Sequence, residues 1–354
     1  MRKGLIRAGI AALTAAGFAF LSVAQAQQDV GPVAGVEHLP VVADGPTLSV
    51  MTYNVEGLPF PFARGRSAAA GQIAKRLAAL RAQGQQPHVV VLQEAFGDAQ
   101  RKIGIEAGYR YSASGPDAQL KSDEAMTDTD RAFAGKAHFF KGEGIGKWRG
   151  SGLIILSDFP IVAVRKAAFP AWACAGFDCL ANKGVLMAEV QVPGVDRPVA
   201  VIATHLNSKN ASGVSKARWN AAFDRQAQTI GRFLAANLAA DLPYVFAGDT
   251  NVGKSQQRRD WLAAALPRAD HAALKLSLAY CLDKATPCAI DAPAQAAQSY
   301  SRGKDWQAFV DGKTVHLEPL AINVPFGADA RGRMLSDHIG YTTLYRLAGK
   351  AARS

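Results

Sequence analysis

The chain reads as an α/β protein of two packed sheets flanked by helices, and three observations lead there. Short apolar runs rich in β-branched residues recur from Leu48 almost to the C-terminus. Amphipathic patterns at helical spacing fall between them, the longest over residues 217–239. Polar residues cluster in short islands at the ends of the apolar runs, where a strand would project them into a cleft. Strand pairs separated by helices suit two sheets packed face to face with helices outside.

The elements follow in order. Leu48 to Val55 alternates and is β-branched, as a strand should be. From Ser67 to Gln83, Ile73, Leu77 and Leu80 share one helical face opposite charges, and Gly84 and Pro87 end the helix. Val89 to Leu92 is a continuous apolar run, the mark of a buried strand. Residues 97–108 suit a second helix. Residues 112–150 are rich in Gly, Ser, Asp and Lys and read as a long surface excursion. Strands are expected at 152–157, 161–167, 184–192 and 199–204. The helix over 217–239 carries Trp219, Phe223, Ile230, Phe233 and Leu234 on its apolar side. A strand at 243–248, a helix at 256–266, a cysteine-bearing loop and a final β segment near 338–346 complete the pass.

The first residues form a separate unit. Arg2, Lys3 and Arg7 precede or open an apolar stretch from Ala8 to Val23, which closes with Ala24-Gln25-Ala26. This is the pattern of a secretory leader over 1–26, cleaved after Ala26 for a secreted or periplasmic destination. The apolar run is about 16 residues, short of the roughly 20 that span a bilayer. A tail over 27–46, a single domain over 47–346 and a short tail over 347–354 are then expected. No other segment is apolar enough for a transmembrane helix, and a monomer is expected.

The formal charge is +11, of which +8 stays with the mature chain once the three leader cations are removed. A basic surface draws a protein toward polyanions, nucleic acid or anionic lipid alike. The cations are scattered, so charge alone leaves both partners open. The four cysteines form two close pairs, Cys174 with Cys179 and Cys281 with Cys288. An even count in an exported chain favours disulfides, with local pairing preferred over crossed pairing. Neither spacing is that of a zinc finger.

The polar islands are MTYNVEGLP (51–59), VVVLQEAF (89–96), SGLIILSDFPI (151–161), VIATHLNSK (201–209), VFAGDTNV (245–252) and LSDHIGY (335–341). They supply Asn54, Glu94, His205, Asp249, Asn251, Asp337 and His338. The set offers carboxylates for a hard cation, imidazoles for proton transfer and amides to orient a phosphate. That combination suits metal-assisted hydrolysis of a phosphoester. A carboxylate such as Glu94 at the tip of an apolar strand needs a cationic partner, and magnesium would be one. The remaining histidines, at 38, 88, 138, 271 and 316, lack such company and read as surface or structural.

In order and spacing these islands resemble the endonuclease/exonuclease/phosphatase superfamily, from about Leu48 to Tyr345. The resemblance implies the deoxyribonuclease-like four-layer α/β/β/α sandwich of two packed mixed sheets. It also implies magnesium, or manganese or calcium in its place, held by Glu94 with Asn54 beside it and Asp337 reaching the metal region. His205 would bond the scissile phosphate and help protonate the leaving oxygen, and Asn251 would bind a phosphate oxygen. Asp249 would position the attacking water, and His338 would be the general base. The sequence leaves open which of the two takes the proton. Lys304-Asp305-Trp306-Gln307-Ala308-Phe309 is the best match for the island whose aspartate orients that base, so Asp305 joins the catalytic set.

Residues 172–185 end in Asp178-Cys179-Leu180-Ala181-Asn182-Lys183-Gly184-Val185. This stretch resembles a segment of secreted bacterial neutral sphingomyelinases, as does the opening Tyr53-Asn54-Val55 with Gly57-Leu58-Pro59 and Arg64. That resemblance adds Lys183, Arg64 and Asn207 as substrate-binding candidates. It implies a phospholipase C acting on sphingomyelin or a related choline or inositol phospholipid. Phe169, Trp172 and Phe177 would either touch a membrane peripherally or pack in the core. An exported nuclease and an inositol-phosphate phosphatase are the alternatives on the same scaffold.

Overall fold

A computed structural model describes residues 29–36, 44–60, 62–268 and 273–349. The leader expected over 1–26 lies outside the described residues, as do His38 and His271. The first sheet grows from β1 (Thr47–Asn54), whose last seven residues are all buried. Both faces are covered. Leu48 and Val50 point between the sheets, while Met51 and Tyr53 point to the helices outside, as the two-residue period of a strand requires. α1 (Arg66–Ala82) covers that outer face with Ile73 and Leu77 and returns the chain to β2 (Val89–Gln93), which pairs parallel with β1. α2 (Asp98–Glu106) follows on the same side.

The expected excursion over 112–150 is more ordered than its composition implies. β3 (Tyr111–Ser114) forms a sheet edge, and α3 (Asp128–Ala134) opens on a capping box between Thr127 and Asp130. Glu143, at the far end of the excursion, is buried against Arg218. β4 (Ile154–Ser157) then completes the first sheet on that side.

The second sheet opens with β5 (Ile161–Ala168), β6 (Gly184–Val190) and β7 (Val199–His205). α4 (Lys216–Asn237) crosses over to β8 (Tyr244–Asp249), parallel to β7, and buries Phe223, Ile230 and Leu234 on the sheet's outer face. α5 (Gln256–Ala265) packs beside it. After β9 (Lys275–Leu276) come α6 (Ser277–Leu282), β10 (Ala289–Ile290) and α7 (Pro293–Arg302), where the composition implies a cysteine-bearing loop. β11 (Asp305–Val310), β12 (Val315–Phe326) and β13 (Gly340–Gly349) end the fold.

The first sheet has strand order β10-β12-β13-β1-β2-β4-β3, and the second β5-β6-β7-β8-β11-β9. Their inner faces meet in one apolar layer, Val50, Val89, Val91 and Ile155 against Leu186, Val201, Ala203 and Val245. The result is the four-layer α/β/β/α sandwich. β13 runs three residues past the boundary expected at 346. Part of the expected N-terminal tail is strapped down: Val30 and Gly31 carbonyls accept from Arg76, and the Gly31 N–H donates to Asp329. Both local disulfides are formed, Cys174–Cys179 and Cys281–Cys288.

Candidate active site

Strand register assembles half of the site. β7 and β8 run parallel with His205 opposite Asp249, and β11 runs antiparallel with Asp305 opposite Asp249. Three functional side chains therefore stand in one row across the second sheet. On the first sheet the β1–β2 ladder ends with Asn54 opposite Gln93, so Asn54 and Glu94 leave the sheet together. The two sheets bring these tips into contact. Asn54 Nδ2 donates to Glu94 Oε1 at 2.9 Å and to Asp249 Oδ2 at 3.1 Å.

Asp249 lies between two imidazoles. Its Oδ2 is 3.6 Å from His205 Nε2 and 3.6 Å from His338 Nε2. His338 Nδ1 donates to Asp305, with both carboxylate oxygens within 2.9 Å, so its Nε2 faces Asp249. Burial pulls His338 down, but Asp305 and Asp249 outweigh it and hold the imidazole up at about 9. His205 goes the other way. Burial first, then the Lys183 ammonium, pushes it down to about 3. Lys183 Nζ has three partners for its three protons: the Asp178 carboxylate, the Leu206 carbonyl at 3.1 Å and His205 Nε2 at 3.1 Å.

The donor set fits a hard divalent cation. Glu94 Oε2 is buried with no hydrogen-bond partner among the described residues, and burial raises the carboxyl above its usual range. An anion so placed is destabilising until a cation compensates it. Ligand atoms of Glu94, Asp249 and His205 lie within 4.8 Å of one another. Two carboxylates suit magnesium, and the imidazole also suits manganese. Asp249, Asp305 and His338 form a second such group, but Asp305 already accepts from His338 through both oxygens, so that group is a His–Asp pair.

Other expected residues sit differently. The Asp337 carboxylate is exposed, 3.8 Å from His338 Nε2, and does not join the Glu94 group. Asn207 is buried, accepting from the Ala175 N–H and donating to Asp178, so it braces a loop. Asn251 donates from Nδ2 to the Leu206 carbonyl. Arg64 is exposed, with its guanidinium 5.7 Å from the Phe60 ring centre, in a cleft beside the site. Of the three aromatics left between core and membrane, Phe169 is core and Phe177 is exposed.

Three braces escaped the sequence reading. Arg66 donates to the carbonyls of Val55, Glu56 and Leu335 and pairs with the Glu56 carboxylate. Glu56 in turn accepts from the Asp337 N–H. Asp178 gathers Lys183, Asn207 and Ser208. Glu56 and Asp178 lay inside stretches already singled out, whereas Arg66, in the first turn of a helix, is legible from sequence only as one of the cations, with Arg64 and Lys209, that could line a nuclease groove. Glu56, Glu94 and Asn251 are the non-glycine residues at positive φ among those described, and all three belong to this region.

Comparison with known proteins gives the same architecture. Sphingomyelinase C from Streptomyces griseocarneus has a TM-score of 0.56 at 23% identity, covering 85% of this chain and 100% of that one. A beta toxin variant from Staphylococcus aureus with bound magnesium ions has 0.54 at 18%, covering 84% and 99%. TDP2 from D. rerio, complexed with a single-strand DNA product, has 0.52 at 17%, covering 85% and 99%. Identities this low establish the fold alone. No curated protein matches the sequence. Residues 51–338 match the Endonuclease/Exonuclease/phosphatase family, so the chain belongs to that family of metal-dependent phosphoester hydrolases.

Proposed function

We propose that the protein is an exported, magnesium-dependent phosphodiesterase that releases the head group of a phospholipid, as a sphingomyelinase-like phospholipase C does. The observation that carries the reading is Asp249 standing between two imidazoles, with the Asn54–Glu94 pair against it. The likeness to a sphingomyelinase C and the 172–185 stretch support a lipid substrate. Phe60, Phe62 and Trp148 on loops and Phe140 in a short 3₁₀ turn are exposed and give apolar surface for a lipid interface. Two disulfides support export. Among the described residues, no helix is long and apolar enough to cross a membrane.

Glu94 and Asp249 would hold the cation, with Asn54 fixing both carboxylates. When bound, magnesium would offset negative charge on the phosphoryl oxygens and the leaving oxygen. Water attacks phosphorus in line as the bond to the lipid oxygen breaks. Asp249 and His338 orient that water, and its proton passes to Asp249, with His338, held up at about 9, taking it only from its neutral form as pH rises. Asp305 keeps the Nδ1 proton on His338 so that Nε2 faces the site. His205 and Lys183 lie on the other flank of Asp249, bonded to each other, where the Lys183 ammonium places positive charge beside the phosphate and the departing oxygen. No activated serine or cysteine stands in this cluster, and no covalent enzyme intermediate is needed.

The test offers the mature chain sphingomyelin vesicles and plasmid DNA with magnesium, with His338→Ala as control. Phosphocholine release without nicking is expected, and it should stop with EDTA. Nicking without phosphocholine would move the protein to the nucleases, the reading that the basic charge balance favours.

A further inference from the structure

A cleft of about 560 Å³ opens beside the Asn54–Glu94 pair. Its walls continue the strands that carry the pair. Gly57 lies three residues beyond Asn54, and Phe96, two beyond Glu94, donates its N–H to the Glu94 carbonyl. Four arginines line the cleft, and two of them are already occupied. Arg66 is spent on backbone carbonyls and Glu56, and Arg101 on Asp98 and the Phe96 carbonyl. Arg64 and Arg149 have no carboxylate partner among the described residues. Both therefore bring positive charge to the cleft with no carboxylate to offset it among the described residues, and an anion entering the cleft would be attracted to them. Phe60 and Phe62, 73% and 68% exposed, place apolar surface on the same loop as Arg64.

We propose that this cleft is a subsite for a second phosphate on the lipid head group, with Arg64 and Arg149 as its anion contacts. The inference rests on the phosphodiesterase reading and narrows it. A choline group is a cation and gains nothing from two arginines, whereas a phosphorylated inositol gains charge-assisted bonds to both. The phenylalanines keep the lipid surface at the cleft mouth while the head group reaches inward. The enzyme then turns over sphingomyelin but prefers a head group with an added phosphate.

Two measurements test this. The first compares KM on vesicles containing phosphatidylinositol phosphate, phosphatidylinositol or sphingomyelin in one neutral lipid, for wild type, Arg64→Gln, Arg149→Gln and the double variant. The phosphorylated lipid should show a KM lower by about tenfold or more, and each substitution should raise that KM about tenfold. The rise on sphingomyelin should be much smaller. Equal KM values for lipids with and without the added phosphate, or equal losses on all three, would overturn the proposal. The second is calorimetric titration of soluble inositol bisphosphate into metal-free wild type and the double variant, whose exposed arginines leave the fold intact by melting temperature. Binding to wild type and loss in the variant is expected, and no binding to wild type rejects the subsite. If no lipid is hydrolysed yet this binding pattern holds, the phospholipase reading falls and the anion subsite stands. A double variant that loses plasmid DNA binding but keeps inositol bisphosphate would assign the arginines to nucleic acid and overturn the proposal.

Discussion

The two sheets contribute to one site by different means. On the second sheet His205, Asp249 and Asp305 occupy neighbouring rungs of hydrogen-bonded ladders, so backbone pairing alone aligns them. On the first sheet Asn54 ends a strand, Glu94 sits in a left-handed turn, and Asp337 and His338 lie in the loop before β13. That side is aligned by side chains: Arg66 clamps the segments after Asn54 and before His338, and Ser336 donates to the Asn54 carbonyl. One half is rigid by register and the other by a small set of polar braces. The braced half carries the carboxylate with an unpartnered oxygen, Glu94.

The comparison can be broken most directly at Glu94. Glu94→Gln keeps the bond from Asn54 but removes the charge. Turnover should fall on the order of a thousandfold, the scale seen when a charge-stabilising group is deleted. The metal-free melting temperature should hold or rise, because a buried unpaired carboxylate has gone. Magnesium should raise the melting temperature of wild type and not of the variant; a variant still stabilised by magnesium would place the ion elsewhere. On the ladder side, Asp305→Asn leaves the backbone register intact but lets His338 turn or change tautomer. A loss of about 10³–10⁴ in kcat is expected, with little change in melting temperature.

Arg66 separates the two halves. Arg66→Met should destabilise by about 2–4 kcal/mol, since several buried acceptors lose one donor. It should lower kcat about 10- to 100-fold and broaden the His338 imidazole resonances while those of His205 stay sharp. Equal broadening of both would show that the halves are not independent. Arg66→Lys should recover only part of the loss, because an ammonium cannot span the same carbonyls.

The smallest effect lies at the far end of the first sheet. Ser49 N–H donates to His88 Nδ1 at 3.1 Å, and His88 N–H donates to Ser49 Oγ at 2.8 Å, clasping β1 to β2. Burial lowers the His88 imidazole, which is neutral in the clasp, although Asp158 pulls it back up. A histidine lowered on folding stabilises fully above its unfolded value near 6.5, and that contribution is lost as pH falls below it. The melting temperature should therefore drop by a few degrees, roughly, between pH 7 and 5, and His88→Gln should flatten that slope. Activity measured at neutral pH should not follow it.

The same division explains what the sequence revealed. Every tip on a regular strand end was legible, because an apolar run that stops at a polar residue announces both strand and tip. Even Gln307, odd within β11, has a use: its Nε2 donates to Val50 and Tyr341 carbonyls on the opposite sheet. β12 was hidden by Pro319 and Pro325, which argue against a strand. The ladder accommodates them where its register shifts, between Pro319 and Ala321 and between Asn323 and Phe326. α7 is made of Ala, Gln and Ser, so its apolar stripe is faint; Pro293 at its start and Gly303 at its end were the available cues. α3 carried a capping box that the polar composition around it obscured. The braces were illegible for a plainer reason. Arg66 acts through backbone carbonyls, and those have no sequence pattern.

Glu56, Glu94 and Asn251 hold backbone angles that glycine adopts freely and other residues adopt at about 1–3 kcal/mol each. A change to glycine would relieve that backbone strain at each position, against the loss of the Glu56 pair with Arg66 and of the Asn251 bond to Leu206. Two of these changes would delete a polar brace, at Glu56 and Asn251, and the third would delete the carboxylate proposed to hold the metal. A thermostability campaign run without an activity screen would silence this enzyme before it hardened it.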